Sequence, residues 1–236
     1  MATIFGAITS ETPKYDLVKK LAVYEVRKYG RQVRAEVKVE TSGHMMENLG
    51  VPFRMLAGYI FGGNIKSLGT AGASVITEPS KQPGAASNEK VAMTAPVLLS
   101  QQVPTGVKAD NEKVAMTAPV LLNEHQADKK SVKMSFIMPS IYDSVDKLPI
   151  PKDARVHLVE VPEHKVAVIR FSGQFSAARA AYFKDREAAL RAAAKEDGIV
   201  LSVDPQDVVV AGYNPPWCLP WLRTNEIMIP VLEGAS

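Results

Sequence analysis

The chain has 236 residues, of which 46% are hydrophobic and 22% are charged, and its formal net charge at pH 7 is +3. The length suits one large domain or two small ones, and the mild charge, without a run of five basic residues, argues against nucleic-acid binding. The single cysteine, Cys218, excludes an internal disulfide framework and indicates a reducing compartment.

Residues 1–20 are predicted to form an N-terminal arm. They contain no secretory core, and Glu11 and Asp16 are unlike the acid-poor composition of a transit peptide. No apolar stretch in the chain reaches the roughly 18–20 residues that a membrane span requires. We therefore expect a cytoplasmic monomer without a membrane span.

The first predicted strands surround Gly30. Segments Val23–Tyr29 and Gln32–Val39 alternate apolar with polar residues, as half-buried strands do. Their closeness in the chain predicts a hairpin that turns at Gly30.

A helical pattern follows, because apolar residues recur at three- and four-residue steps from Met45 to Ile60. The helix is expected to begin near Pro52, since proline is tolerated in the first turn. Glycines at 62 and 63 are expected to end it. Residues 64–87 are rich in Gly, Ala, Ser and Pro, which is typical of a loop.

The twelve residues NEKVAMTAPVLL occur twice without one difference, at Asn88–Leu99 and at Asn111–Leu122. Alternation predicts a strand in each copy, with Met93 and Met116 as core residues. Between the copies, Ser100–Asp110 has the composition of a loop. Two copies favour an internal duplication that adds a strand, since a solenoid usually needs three or more repeats.

The second half of the chain repeats the order of the first. A strand at Val132–Met138 closes the first half. The second is predicted to contain a hairpin, a helix and two last strands: Ala154–Val161, Lys165–Phe171, Phe175–Lys195, Asp207–Tyr213 and Asn225–Val231. The second helix has the predicted apolar stripe Phe175, Ala178, Tyr182, Ala189 and Ala193. Two ββαββ halves of this kind predict an α+β domain over residues 21–233, with the duplicated segment 88–122 inside it.

Several motifs in order resemble the SOUL/heme-binding protein family: KVAMTAPVLL, KMSFIMPSIY, VIRFSGQF and AGYNPPWCLPWLRTNEIMIPV. The resemblance extends from FGAITSETPKY and YEVRKYG to the last strand, and the closing block is similar to plant and green-algal cytosolic members. It implies a distorted antiparallel β-barrel with two helices. It also implies binding of heme and other tetrapyrroles such as protoporphyrin IX, with no enzymatic activity established for the family as a whole.

The family resemblance implies a pocket beside the first helix and near the loop before the last strand. The positions that match are Phe53, Arg54, Met55, Leu56, Tyr59, Ile60, Trp217, Cys218, Leu219, Trp221, Leu222 and Arg223. Arg54 and Arg223 would pair with the propionates. Leu56 and Ile60 also suit plain core packing, and the two tryptophans also suit a hydrophobic plug that holds the loop down.

The sequence offers two candidate ligands for heme iron. Some family members carry a histidine in the segment that matches Tyr24–Tyr29, where this chain has Lys28, which does not ligate iron while protonated. The four histidines show no paired metal-ligand spacing. The candidates are His44, before the first helix, and the thiolate of Cys218.

The hypothesis that these features favour is a tetrapyrrole carrier, buffer or scavenger. One alternative is an enzyme acting on heme or porphyrin, which would depend on Glu226, Tyr213 or a histidine. Another is a protein interaction module that uses the repeat and the long loop. In the favoured hypothesis the repeat lies away from the pocket.

Overall fold

A nine-stranded antiparallel sheet organises the computed structural model, which describes residues 6–41, 49–66, 88–102, 130–174, 176–215 and 217–232. The strands in chain order are β1 Tyr15–Lys20, β2 Glu25–Tyr29, β3 Gln32–Thr41, β4 Asn64–Ile65, β5 Val97–Gln102, β6 Lys130–Ile137, β7 Ile150–Pro151, β8 His157–Val161, β9 His164–Phe171, β10 Val209–Gly212 and β11 Asn225–Pro230. The helices are α1 Gly50–Ile60 and α2 Ala180–Glu196. The order in the large sheet is β1-β2-β9-β11-β10-β5-β6-β3-β8, and β4 pairs with β7 apart from it.

The sheet order confirms two pseudo-equivalent halves. If β2, β3, β5 and β6 are exchanged for β8, β9, β10 and β11, the order of these eight strands is reversed and otherwise unchanged. The central pair, β5 and β10, therefore lies where the halves meet. The curled sheet with two helices is the distorted α+β barrel that the family resemblance implied.

The predicted hairpin around Gly30 is wrong, although both of its strands exist. Tyr29 pairs with His164, and Gln32 pairs with Val161, so β2 and β3 form one bent strand against β8 and β9 in a continuous register. A two-residue hairpin turn needs a positive φ at its first or both central residues. Gly30 does not adopt such a φ. The predicted second hairpin is also wrong, because β8 and β9 do not pair with each other. β8 pairs with β3, and β9 pairs with β2 and β11.

The first copy of the repeat is a strand only at its end. β5 begins at Val97, and Met93 is 38% exposed, so the predictions of a strand from Asn88 and of a buried Met93 are wrong. The backbone before Pro96 bonds to other segments instead: the N–H of Val91 donates to Ile60 O, and that of Ala95 donates to Glu11 O. The second copy and Met116 lie outside the described residues.

Both helices lie on the outer face of the sheet. Helix α1 buries Pro52, Leu56, Tyr59 and Ile60 against β3 and β6. Helix α2 packs on β9 and buries Phe183, Leu190 and Ala194. The predicted stripe lies beside them: Tyr182, Ala189 and Ala193 pack partly buried on the same core, whereas Ala178, in the 3₁₀ turn Ala177–Arg179, is exposed. Phe175 lies outside the described residues.

A third cluster of buried side chains fills the inner face of the sheet, and Tyr29, Leu98 and Met228 belong to it. Tyr15–Lys20, within the segment expected to be an arm, pairs with β2 as an exposed edge strand. Among the described residues, no helix is long and apolar enough to span a membrane.

The two halves should depend on their helices in the same way. Leu56 and Leu190 are both 0% exposed, one under each helix. Replacing either with alanine should lower the free energy of unfolding by about 2–5 kcal/mol, because each leaves a core cavity. Urea denaturation measures this loss, with the half-exposed Leu17→Ala as the control. A loss for Leu56→Ala no larger than that of the control would contradict this packing.

Candidate functional site

An apolar groove of about 300 Å³ lies where the two halves meet on the outer face of the sheet. Its walls come from the start of α1 and from the ends of four strands and the loop before β11. The lining residues are Leu49, Gly50, Phe53, Val97, Leu99, Met134, Gly212, Asn214, Arg223 and Asn225. The volume is at the lower end of small-molecule pockets, so a large planar ligand would insert one edge and leave the rest exposed.

Gly212 explains why the groove exists at this point of the sheet. Val97 pairs with Phe136 on one side and with Gly212 on the other, and Gly212 pairs with Asn225. Directly paired residues point to the same face, so these side chains form one row on the outer face. Because Gly212 contributes no side chain, the middle of the row is open.

The floor and one wall of the groove are rigid and apolar. Leu99 and Met134 are 2% exposed, and the ring of Phe53 packs edge-on against Phe136 with centroids 5.5 Å apart. Leu49 contacts the clusters under both helices. The groove therefore needs little rearrangement to receive a flat apolar ligand.

One positive charge lies at the rim. Among the described residues that line the groove, Arg223 carries the one charged side chain. The Nη1 atom of Arg54 lies 3.3 Å from the point where a Cβ on Gly50 would stand, so this second guanidinium is close to Gly50, although Arg54 itself lines a neighbouring hollow. Helix α1 begins here with no acidic residue in its first turn, and its dipole adds partial positive charge. The rim is suited to carboxylates.

The predicted helix residues are divided between three environments. Phe53 lines the groove, whereas Leu56 and Ile60 are buried in the core and reach no surface. Arg54, Met55 and Tyr59 line a separate hollow of about 390 Å³ that also contains Lys152 and Arg155. The hydroxyl of Tyr59 donates to Pro149 O at 2.9 Å, which indicates a structural role. Burial raises the pKa of Tyr59.

The loop of residues 215–223, called here the tryptophan loop, contributes Arg223 to the groove and no other of its described residues. Trp217 and Trp221 are 66% and 67% exposed and are not among its lining residues. Leu222 is also exposed, and Leu219 is half-buried. Cys218 is buried, and its Sγ lies 3.6 Å from Leu219 O.

The candidate iron ligands lie apart from the groove or outside the described residues. His44 lies outside the described residues. Cys218 is buried away from the groove lining, and the Nζ of Lys28 pairs with Glu163 at 2.7 Å. Burial lowers the pKa of His164, whose ring stacks on Tyr29. Within the described part of the chain, no three His, Cys, Asp or Glu side chains come together as a metal site.

A buried ionic cluster occupies the inner face behind the groove. Glu226 is 0% exposed, and its two oxygens accept hydrogen bonds from both terminal nitrogens of Arg27, at 3.0 and 3.1 Å. Arg170 Nε donates at 2.9 Å and the hydroxyl of Tyr213 at 2.6 Å. Glu226 follows Asn225 on the strand and so points to the face opposite the groove.

The cluster holds Arg27 charged. Burial alone would lower the pKa of Arg27, but hydrogen bonds and the charge of Glu226 outweigh it and raise the pKa. Burial and the charge of Glu226 likewise raise the pKa of Tyr213, which keeps the phenol protonated as a donor. Glu226 and Tyr213, the residues on which an enzyme hypothesis would depend, thus hold each other in the interior.

A larger cavity of about 570 Å³ lies between the N-terminal segment and the bend of β2 and β3. Its charged lining residues are Glu11, Lys14, Asp16, Lys28, Arg31 and Asp143. Charges of both signs at such density hold water strongly. The smaller groove is therefore the better site for a flat apolar ligand.

Sequence reasoning missed the strand walls of the groove. Val97 and Leu99 belong to the first repeat, which was expected to lie away from the site, yet both line the groove. The alternation of β5 places these two residues on one face. This alternation is visible in the sequence, but the sequence does not show that α1 covers that face of the strand.

Comparisons with known proteins agree with this fold. The family model described as SOUL heme-binding protein matches residues 10–108 and 105–230. The two matches meet between the copies of the repeat, so each contains one copy. The comparison with curated proteins found no match.

Two solved structures share the fold at low sequence identity. A hydrolase from Listeria innocua is 11% identical, with a TM-score of 0.52, and the match covers 91% of this chain and 94% of that one. An uncharacterized conserved protein from Listeria innocua is 11% identical, with a TM-score of 0.52 and coverage of 88% and 92%. At such identities the likeness concerns the fold alone.

The ionic cluster should matter chiefly for stability. Glu226→Gln would leave Arg27 buried without its main counter-charge and should lower the free energy of unfolding by about 3 kcal/mol or more. Tyr213→Phe, which removes one hydrogen bond, should cost less. Urea denaturation compares both with Glu160→Gln, which changes an exposed pair with Arg31 and should have little effect. Equal losses for Glu226→Gln and Glu160→Gln would refute this role.

Proposed function

We propose that this chain, which belongs to the SOUL heme-binding protein family, binds heme or a related tetrapyrrole in the groove between its halves. It would act as a carrier, buffer or scavenger. The observation that supports this best is the combination of an apolar groove with the guanidinium of Arg223 at its rim. That combination matches a flat apolar ring with two carboxylates.

The ring would be recognised through burial of apolar surface. The side chains of Phe53, Val97 and Leu99 form apolar walls, and Gly212, which has no side chain, leaves space between them. Each Å² of apolar surface removed from water contributes about 25 cal/mol, less the cost of association. With a groove of about 300 Å³, part of the ring stays in solvent, which favours exchange of the ligand over permanent retention.

The propionates would lie at the positive rim. Arg223 lines the groove, and its Nε donates to Cys218 O at 2.8 Å, which holds the guanidinium near the groove edge. Arg54 lies near Gly50 at the start of α1 and would need to turn towards the groove to reach a second propionate. Guanidinium groups suit carboxylates because they present donors in a fixed fork.

Iron would contribute little to this mode of binding. The described lining residues include no histidine, cysteine or tyrosine, and the one methionine among them, Met134, is 2% exposed in the groove floor. Protoporphyrin IX should then bind nearly as well as heme. The free, buried Cys218 fits a reducing compartment such as the cytoplasm.

Heme and protoporphyrin IX should bind with dissociation constants within about threefold of each other, because the ring rather than the metal is recognised. Absorbance titration in the Soret region of each ligand measures both. No spectral change with either porphyrin at micromolar concentration would refute the proposed function. Strong preference for heme would contradict a site without an axial ligand.

The groove can be tested by filling it. Gly212→Leu should raise both dissociation constants by about tenfold or more, because the leucine occupies the space of the ring. Arg223→Ala should weaken binding by about three- to tenfold, through loss of a propionate partner. Arg155→Ala, in the separate hollow beside α1, is the matched control and should leave both constants unchanged. Tight binding by Gly212→Leu, with a wild-type urea midpoint, would place the ligand elsewhere.

A further inference from the structure

Two exposed tryptophans lie on one loop, four residues apart, and the groove does not use them. Trp217 and Trp221 are 66% and 67% exposed, and the neighbouring Leu222 is 37% exposed. Tryptophan is usually well buried, so two indoles exposed on one loop call for a partner. These three side chains are called here the indole patch.

Hydrogen bonds among its described residues hold the loop that carries the patch. Cys218 is 1% exposed and anchors its middle, and the N–H of Cys218 donates to Pro215 O at 3.0 Å. The N–H groups of Leu222 and Arg223 donate to Leu219 O and Pro220 O. Arg223 closes the loop from its side chain to Cys218 O at 2.8 Å. Little ordering cost therefore remains when the patch is covered.

The size of the patch argues against a protein partner. An indole side chain offers roughly 150–250 Å², so the two tryptophans together expose roughly 300 Å². A stable protein interface buries about 800 Å² on each partner. A rigid patch of this size is sufficient for insertion into the interfacial region of a bilayer, where tryptophan is enriched because its ring is apolar and its N–H polar.

We propose that the indole patch docks the protein reversibly onto the surface of a lipid bilayer. Charge supports this occupant. Residues 213–223 contain no Asp or Glu, Arg223 adjoins the patch, and the whole chain carries a net charge of +3. Anionic headgroups attract such a surface, and repulsion from acidic side chains of the loop is absent.

Docking would bring the groove to the membrane. Arg223 belongs to the tryptophan loop and also lines the groove, so lipid contact at Trp217 and Trp221 places the groove rim near the headgroups. Tetrapyrroles partition into bilayers because their rings are apolar. The bilayer contact stands by itself, whereas its role in collecting or releasing the ligand rests on the proposed function.

Intrinsic fluorescence tests the contact directly, since Trp217 and Trp221 are the only tryptophans in the chain. The full chain without heme is mixed with vesicles of phosphatidylcholine, and with vesicles that also contain phosphatidylserine. We expect a blue shift of the emission, larger with phosphatidylserine, and quenching by lipids brominated on their acyl chains. Unchanged emission with both kinds of vesicle would overturn the proposal.

Matched variants distinguish lipid binding by the indole patch from nonspecific adsorption of the protein to vesicles. Replacement of both tryptophans with alanine should reduce co-sedimentation with vesicles by about tenfold or more. Phe61→Ala is the control, because Phe61 is 62% exposed and lies at the end of α1 outside the loop. Equal losses in the two proteins, or none in the double variant, would overturn the assignment to the loop.

A heme titration without vesicles tests the proposed function separately from the proposed lipid contact. The double tryptophan variant should keep its Soret response, because neither indole lines the groove. Vesicle binding without any porphyrin binding would retain the docking surface and refute the proposed function. Porphyrin binding without vesicle binding would retain the proposed function and refute the docking surface.

Discussion

One continuous register between two bent strands is the constraint on which the rest of the structure depends. Residues 25–29 pair with 164–168, and residues 32–36 pair with 157–161, in one register without a shift across the bend. Because β2 pairs with β9 while β3 pairs with β6, the same bent strand belongs to both ends of the sheet order. That arrangement curls the sheet and fixes the two halves against each other.

The curl separates two environments that alternate along a single strand. On β11, Asn225 points to the groove on the outer face, and Glu226 points to the interior. An ion pair there is costly unless it is fully hydrogen-bonded, and Arg27, Arg170 and Tyr213 supply those bonds. The outer face can then remain apolar, because the buried charges that the sheet carries are satisfied behind it.

The sequence predicted the elements well because their signals are local. Alternation identified most of the strands, three- and four-residue spacing identified both helices, and their order identified two equivalent halves. Pairing was not predictable in this way. The alternation of 25–39 is the same in a hairpin and in a bent strand, and only the backbone of Gly30 and partners more than a hundred residues away decide between them.

The same distinction explains which of the predicted residues line the groove. Phe53, a position that matches the family's pocket helix, and Arg223, the predicted propionate partner, both line it. Leu56 and Ile60 fit the same helical pattern but face the core, since the spacing of a helix does not reveal what covers it. Met93 was misplaced because its segment bonds to Ile60 and Glu11 through its neighbours rather than to a strand.

The groove itself is a product of the duplication of the fold. Val97, Leu99 and Met134 come from the first half, whereas Gly212, Asn225 and Arg223 come from the second. β5 and β10 pair at the centre of the sheet, so the apolar walls and the positive rim meet only when both halves are joined. Neither half contains the whole groove, and a ligand that bound there would stabilise the joined state over separated halves. Binding and the integrity of the central strand pair are therefore coupled by the geometry of the groove.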